Sequence, residues 1–257
     1  MELLNQQGLA FGFRWLHVLF GITWIGLLYY FNMVQVPAFA AFGDEGRARN
    51  IAIDNVARRA LWWFRWAAVF TLGTGLLIIG VTEDALGNNY MKDFMSADSG
   101  FGAGHNAVIF VGMVFGVTMA ANVWMVIWKN QKVVLANAVN LLNGGTADPA
   151  AAAAGRSALL ASRQNTVFSV SMLFFMVGAS HFYSGGAFAD ATRGQAWTFA
   201  LVAIGIGTIL ELLCVGVIGG KATTNKLLWP YENHKNAIIS AFGLWAVLWI
   251  LSEIILG

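Results

Sequence analysis

The chain has 257 residues, of which 58% are hydrophobic and 11% charged, with a formal net charge of +2. Soluble domains carry about 25% charged residues, so this composition excludes an ordinary soluble fold and predicts an integral membrane protein. So small a net charge gives no sign of a nucleic-acid partner. Cys214 is the one cysteine, which excludes an intrachain disulfide and a Cys-x-x-Cys-His haem-attachment motif. The N-terminus lacks a basic leader, and its apolar run carries Arg14 and His17, so it does not read as a signal peptide.

Crossing hydrocarbon takes about 20 apolar residues per helix, and six segments reach that length. The first covers 11–36 and ends at Pro37. A polar stretch with Arg47, Arg49, Arg58 and Arg59 follows, predicted as a short surface helix. The second covers 60–81 and opens with Trp62, Trp63, Arg65 and Trp66, an aromatic belt with a snorkelling arginine. A long acidic loop, 82–104, precedes the third span, 105–128, and its length would allow it to cover a site on that side. The stretch from Asn130 to Leu160 is predicted to hold a short helix. Spans four, five and six cover 162–183, 196–218 and 234–256. There is no internal repeat. The expected fold is all-α: a polytopic bundle of about six transmembrane helices, forming one domain over 1–257.

Twelve of the fifteen lysines and arginines fall in the loops after spans one, three and five or at the adjoining helix mouths. The positive-inside rule then places both termini outside, in the periplasm if the membrane is a bacterial inner membrane. That topology brings three of the four histidines to the outer side. His17 lies about 9 Å below the outer end of span one at 1.5 Å per residue, His105 opens span three, and His181 closes span four. His234 lies at the opposite end. Histidines on facing helices can ligate haem iron, and three of them also suit copper or zinc. Arg14, one turn outward of His17, could meet a haem propionate or an anionic substrate. Trp24 lies along roughly the same face, too deep for a belt residue.

Glu211, within span five, is the candidate for a proton relay, since an intramembrane carboxylate is a functional-site hypothesis by default. Glu253 is expected at the interface. Asn122, Asn165 and Ser169 are expected to form interhelical hydrogen bonds, and Gly73, Gly75, Gly205 and Gly207 to permit close helix packing. The sequence contains no phosphate loop, nucleophile elbow or zinc-protease motif.

Several motifs resemble the N-terminal membrane domain of bacterial membrane-bound urate hydroxylases (urate oxidases). They are Arg14-Trp-Leu-His-Val, Trp24-Ile-Gly-Leu-Leu-Tyr-Tyr-Phe-Asn32, Val34-Gln-Val-Pro37, Arg59-Ala-Leu-Trp-Trp-Phe-Arg-Trp66, Asn122-Val-Trp-Met-Val-Ile-Trp-Lys-Asn-Gln131, Ala161-Ser-Arg-Gln-Asn-Thr166 and Met172-Leu-Phe-Phe-Met-Val-Gly-Ala-Ser-His181. The resemblance covers 9–255. It implies oxidation of urate to 5-hydroxyisourate, with electrons leaving through a cytochrome c that typically continues the chain. No haem-attachment motif is present here, so a separate cytochrome c is the expected partner. The Leu-His…Trp-x-Gly pattern is loosely similar to small membrane haem proteins such as the bacterial protoporphyrinogen oxidase, which implies haem b at His17. Two readings follow: a haem-containing membrane oxidoreductase of the urate-hydroxylase type, or a non-catalytic or electron-conducting subunit of a larger respiratory or oxygenase complex. A proton-coupled carrier centred on Glu211 ranks below both, and an oligomer is compatible with either.

Overall fold

The computed structural model describes residues 5–83 and 101–257. The acidic loop singled out above lies mostly outside those residues. The described residues are 85% helical, and no strand occurs among them. The apolar runs fold this way because no water is available in hydrocarbon, so each backbone N–H must be satisfied within its own helix.

Three of the helices are far longer than the spans expected from hydropathy. α1 (Gln6–Tyr29) passes through a π-helical segment, Tyr30–Gln35, into α2 (Val36–Ala41). α3 (Gly46–Ala52) passes through Ile53–Ala57, also π-helical, into α4 (Arg58–Val81). The polar stretch expected as a separate surface helix is therefore the first part of the second membrane helix. α5 (Ala103–Ala121) runs through a third π segment, Asn122–Ile127, into α6 (Trp128–Leu142). That continuous run of 40 residues is about 60 Å long at 1.5 Å per residue, roughly twice the hydrocarbon thickness. The helix expected after Asn130 is its extension beyond the membrane.

α7 (Ala151–His181), α8 (Arg193–Cys214), the short α9 (Trp229–Glu232) and α10 (His234–Leu256) complete the chain. α8 stops at Cys214, earlier than the expected 218. Gly216 follows with φ 83°, and the Val217 and Ile218 amides turn back onto the Leu212 carbonyl, a left-handed closure that glycine permits.

Among the described residues, five helices are long and apolar enough to cross a membrane. The sixth expected span, 162–183, lies in α7 and is not among them, because its Arg163, Gln164, Asn165, Thr166, Ser169 and Ser171 are polar. All six are buried. α7 is the axis of the bundle: Phe168 stacks on Phe115 of α5 at 4.5 Å, Phe174 meets Trp245 and Trp249 of α10, and Phe175 meets Phe199 of α8. A helix enclosed by its neighbours presents little surface to lipid, so its polar groups need partners rather than an apolar coat.

α1 and α4 form an antiparallel hairpin beside this group. Gln6 donates to the Val81 carbonyl at 3.1 Å, Phe20 stacks on Phe70, and Phe31 meets Phe64 edge-on. Phe11, Trp15, Val18 and Ile22 lie exposed on the outer side of the hairpin, as lipid-facing residues should. Arg65, the arginine of the expected aromatic belt, turns onto two tryptophan rings. Its guanidinium carbon lies 3.8 Å from the Trp128 ring centroid and 5.9 Å from that of Trp124, while Trp124 donates to the Arg65 carbonyl. This cation–π clasp ties the hairpin to the rest of the bundle. Of the four glycines expected at close contacts, Gly75 and Gly207 have them, while Gly73 and Gly205 face open space.

Candidate functional site

The helix directions place His17, His105 and His181 at one end of the bundle, together with the start of α8 and the end of α10. Their surroundings differ. His17 faces α4, where Nδ1 lies 2.9 Å from the Thr71 carbonyl and 3.4 Å from Thr74 Oγ1. A carbonyl oxygen only accepts, so Nδ1 carries the proton and Nε2 keeps its lone pair. This is the tautomer that metal-ligating histidines commonly adopt, with the far N–H fixed by a backbone carbonyl. Gly75 makes room for the ring: a Cβ there would sit 3.3 Å from the imidazole.

His105, 6% exposed, lies in the first turn of α5. Its Nδ1 is 3.0 Å from Asn106 Oδ1, and its ring stacks on Phe101. Beside it, Gly104 lies against the Phe188 carbonyl so closely that a Cβ would collide with the backbone. His181 is exposed near the end of α7, and its Nδ1 donates to the Val177 carbonyl at 3.0 Å. It lines an apolar groove of about 270 Å³ with Phe174, Val177, Gly178, Phe182 and Trp249. Hence His17 and His181 share a tautomer but lie on different helix interfaces. Among the described residues, no three His, Cys, Asp or Glu side chains are grouped to hold a metal ion. Arg14 is exposed one turn from His17. Trp24 is fully enclosed, with no hydrogen-bond partner for its indole N–H among the described residues.

A second polar region lies in the other half of the bundle, and two of the π segments build it. Asn32, in the first, donates to the Leu28 carbonyl and to Ser162 Oγ of α7. Asn122, in the third, divides its amide protons between Asn165 Oδ1 and Glu211 Oε2, each at 3.0 Å. Asn165 in turn donates to the Met119 carbonyl, and Tyr29 pairs with Ser169 at 2.9 Å. The expected roles of Asn122, Asn165 and Ser169 are therefore as anticipated, and Glu211 has its partner. Glu253 accepts from Trp249 Nε1 at the opposite end and is exposed, as expected.

Sequence reasoning missed Asn32, Gln164 and the clamp at the basic end. There Arg156 holds Glu232 through two hydrogen bonds, of 3.0 and 2.7 Å. Arg163 donates to the Tyr231 carbonyl at 2.6 Å, and Lys221 donates to Ser157. The Arg156 hydrogen bonds hold the Glu232 carboxyl below its ordinary range, and burial pushes the Tyr231 phenol up. The available signal was the polar run Ser162-Arg-Gln-Asn-Thr166 in an otherwise apolar helix, which marks an inward face.

No curated protein and no solved structure matches the chain. The family described as urate oxidase N-terminal matches residues 91–215. That stretch carries α5 to α8, with His105, His181, Asn122, Asn165 and Glu211. The family that the motifs resemble is thus the one whose model matches residues 91–215 of this chain.

Proposed function

We propose that the protein is the membrane component of a urate-oxidising system, with His17 as the ligand of a haem b and a separate cytochrome c as electron acceptor. The family match over residues 91–215 supports the substrate class. The fixed tautomer of His17 supports the ligand, since its Nε2 is left free to donate a lone pair. When bound, the haem supplies one-electron redox chemistry.

The chain's own residues do the positioning. The Thr71 carbonyl holds the imidazole in one tautomer, and Gly75 leaves space for the ring. Arg14 offers a cation one turn away for a propionate or for the urate anion. Trp24 offers a buried N–H donor deeper in the same helix. Oxidation of urate to 5-hydroxyisourate consumes water and releases two electrons and two protons, so each turnover reduces two ferric cytochromes c. The membrane is the bacterial inner membrane in this reading, with the histidine end facing the periplasm.

A second reading, a non-catalytic or electron-conducting subunit, draws support from the separate surroundings of His17, His105 and His181. Reduced-minus-oxidised spectra of the purified protein, taken for the parent and for His17→Ala, His105→Ala and His181→Ala, separate the two. The oxidoreductase reading expects a b-type signal lost in His17→Ala, together with urate-dependent reduction of cytochrome c. A protein with neither haem nor urate turnover overturns it.

A further inference from the structure

Glu211 is the acidic residue that interrupts the apolar run of α8, and its setting differs from that of a residue serving only as a hydrogen-bond acceptor. The carboxyl receives a hydrogen bond through Oε2 from Asn122 of the third π segment. It also lines a cavity of about 110 Å³ between α5, α7 and α8, walled by Phe115, Phe168, Thr118, Thr208 and Gly207. That volume holds several waters. Gly207 shapes the wall: a Cβ there would fall 2.7 Å from Phe115 Cε1, and the Phe115 ring is itself stacked on Phe168. Gln164 of α7, fully buried, lies against the carboxyl and interacts with it, while its amide oxygen lacks a hydrogen-bond partner. An unpaired buried polar atom beside the carboxyl implies water or a mobile ligand. Mid-helix π segments themselves recur at functional sites.

The charges around Glu211 are few. α5 contributes Thr118 and Asn122, with no charged residue between His105 and Lys129. α10 has none between Lys235 and Glu253. α8 adds the buried Cys214. α9 adds Tyr231, whose hydroxyl donates to the Leu210 carbonyl. The nearest cations are engaged elsewhere, Arg163 on the Tyr231 carbonyl and Lys221 on Ser157. With no cation paired to the carboxylate, the proton is the counter-charge at hand.

We propose that Glu211 is a proton-binding site within the membrane, exchanging its proton with water in the cavity between α5, α7 and α8. A hydronium ion in the cavity gives its proton to the carboxylate and leaves as water, and release is the reverse. No electron moves in this step. The inference does not rest on haem or on urate, so its failure and that of the oxidoreductase reading are distinguishable.

The test is labelling of the full chain in lipid nanodiscs with dicyclohexylcarbodiimide, an apolar reagent that captures protonated carboxyls, from about pH 5 to about pH 9. The site is read by mass spectrometry. The expected result is an adduct on Glu211 whose yield falls as pH rises and which disappears in Glu211→Gln, a variant that keeps the acceptor for Asn122. Asn122→Ala removes a donor that favours the ionised form, so labelling at neutral pH should rise severalfold. Circular dichroism of each variant identifies any that fails to fold. In that event, the loss of a protonated-carboxyl stretching band on raising the pH of the parent protein decides the question. An unlabelled Glu211 across the range, or labelling independent of pH, overturns the proposal.

Discussion

Asn165 shows most directly how a buried polar side chain closes a specific gap. It accepts from Asn122 and donates to the Met119 carbonyl, at 0% exposure. Asn165→Ala therefore removes two interhelical bonds and leaves one Asn122 proton and the Met119 carbonyl without that partner. Interhelical hydrogen bonds in membranes contribute about 0.6 kcal/mol on average and up to about 1.7 kcal/mol, so a loss of about 1–2 kcal/mol is expected in detergent unfolding. Gly104 works through shape instead. A Cβ there meets the Phe188 carbonyl, which cannot move aside as a flexible side chain can. Gly104→Ala should displace the start of α5 from the Gly186–Asp190 turn and disturb His105. Faster amide hydrogen exchange in the first turn of α5 is the expected readout, and unchanged exchange would contradict the packing described. Such residues were partly legible in sequence. Asn122, Asn165 and Glu211 stand out as polar groups in apolar helices, but Gly104 does not, because its reason for being glycine lies 84 positions away, at Phe188.

At the scale of elements, the existence of the helices was readable and their length was not. Hydropathy marks where a helix meets lipid and falls silent where it continues into water, so it does not reveal that α2, α3 and α6 continue their neighbours. The π segments are also invisible to an apolar count, yet they set the azimuth of Asn32 and Asn122. The same limit applies to the histidines. Their shared end followed from topology, but which interface each one faces depends on helix rotation, which spacing along a chain does not reveal. α7 carries the clearest lesson, since its buried polar face put it below the hydropathy of a membrane span. Its extension beyond the membrane is locked to α9 by the Arg156–Glu232 pair, whose side chains are 20% and 32% exposed. The hydrogen bonds from Arg156 depress the Glu232 carboxyl from its ordinary value of 4.5. A carboxyl depressed on folding stabilises the folded state fully above its unfolded value, and that contribution fades as pH falls through the lower folded value. Arg156→Ala should thus lower stability by about 1–2 kcal/mol at neutral pH, as expected for a bidentate charge-assisted pair with partial solvent screening. Below about pH 4 the gap between variant and parent should close. A gap that persists unchanged in acid would assign the loss to packing of the arginine stem.

For the whole molecule, the separation of its two ends matters most. One end gathers the three histidines and the start of α8; the other carries the basic residues and the helices that project beyond the hydrocarbon. Between them lies the Asn122–Glu211 layer. The charge asymmetry predicts which end faces which compartment, and on the proposed reading that sets where a cytochrome c docks. Cys214, 1% exposed, is the single cysteine, so the protein offers a quiet background for introduced thiols. Thr146→Cys places one in the exposed turn between α6 and α7, at the basic end, and Ser184→Cys places one in the exposed turn after α7, at the histidine end. In intact spheroplasts, a membrane-impermeant maleimide should label Ser184→Cys and spare Thr146→Cys until the cells are broken. The reverse pattern would turn the histidine end toward the cytoplasm. On the proposed reading a soluble periplasmic cytochrome could not then reach it, and the electrons would have to leave through a cytoplasmic or membrane-bound carrier.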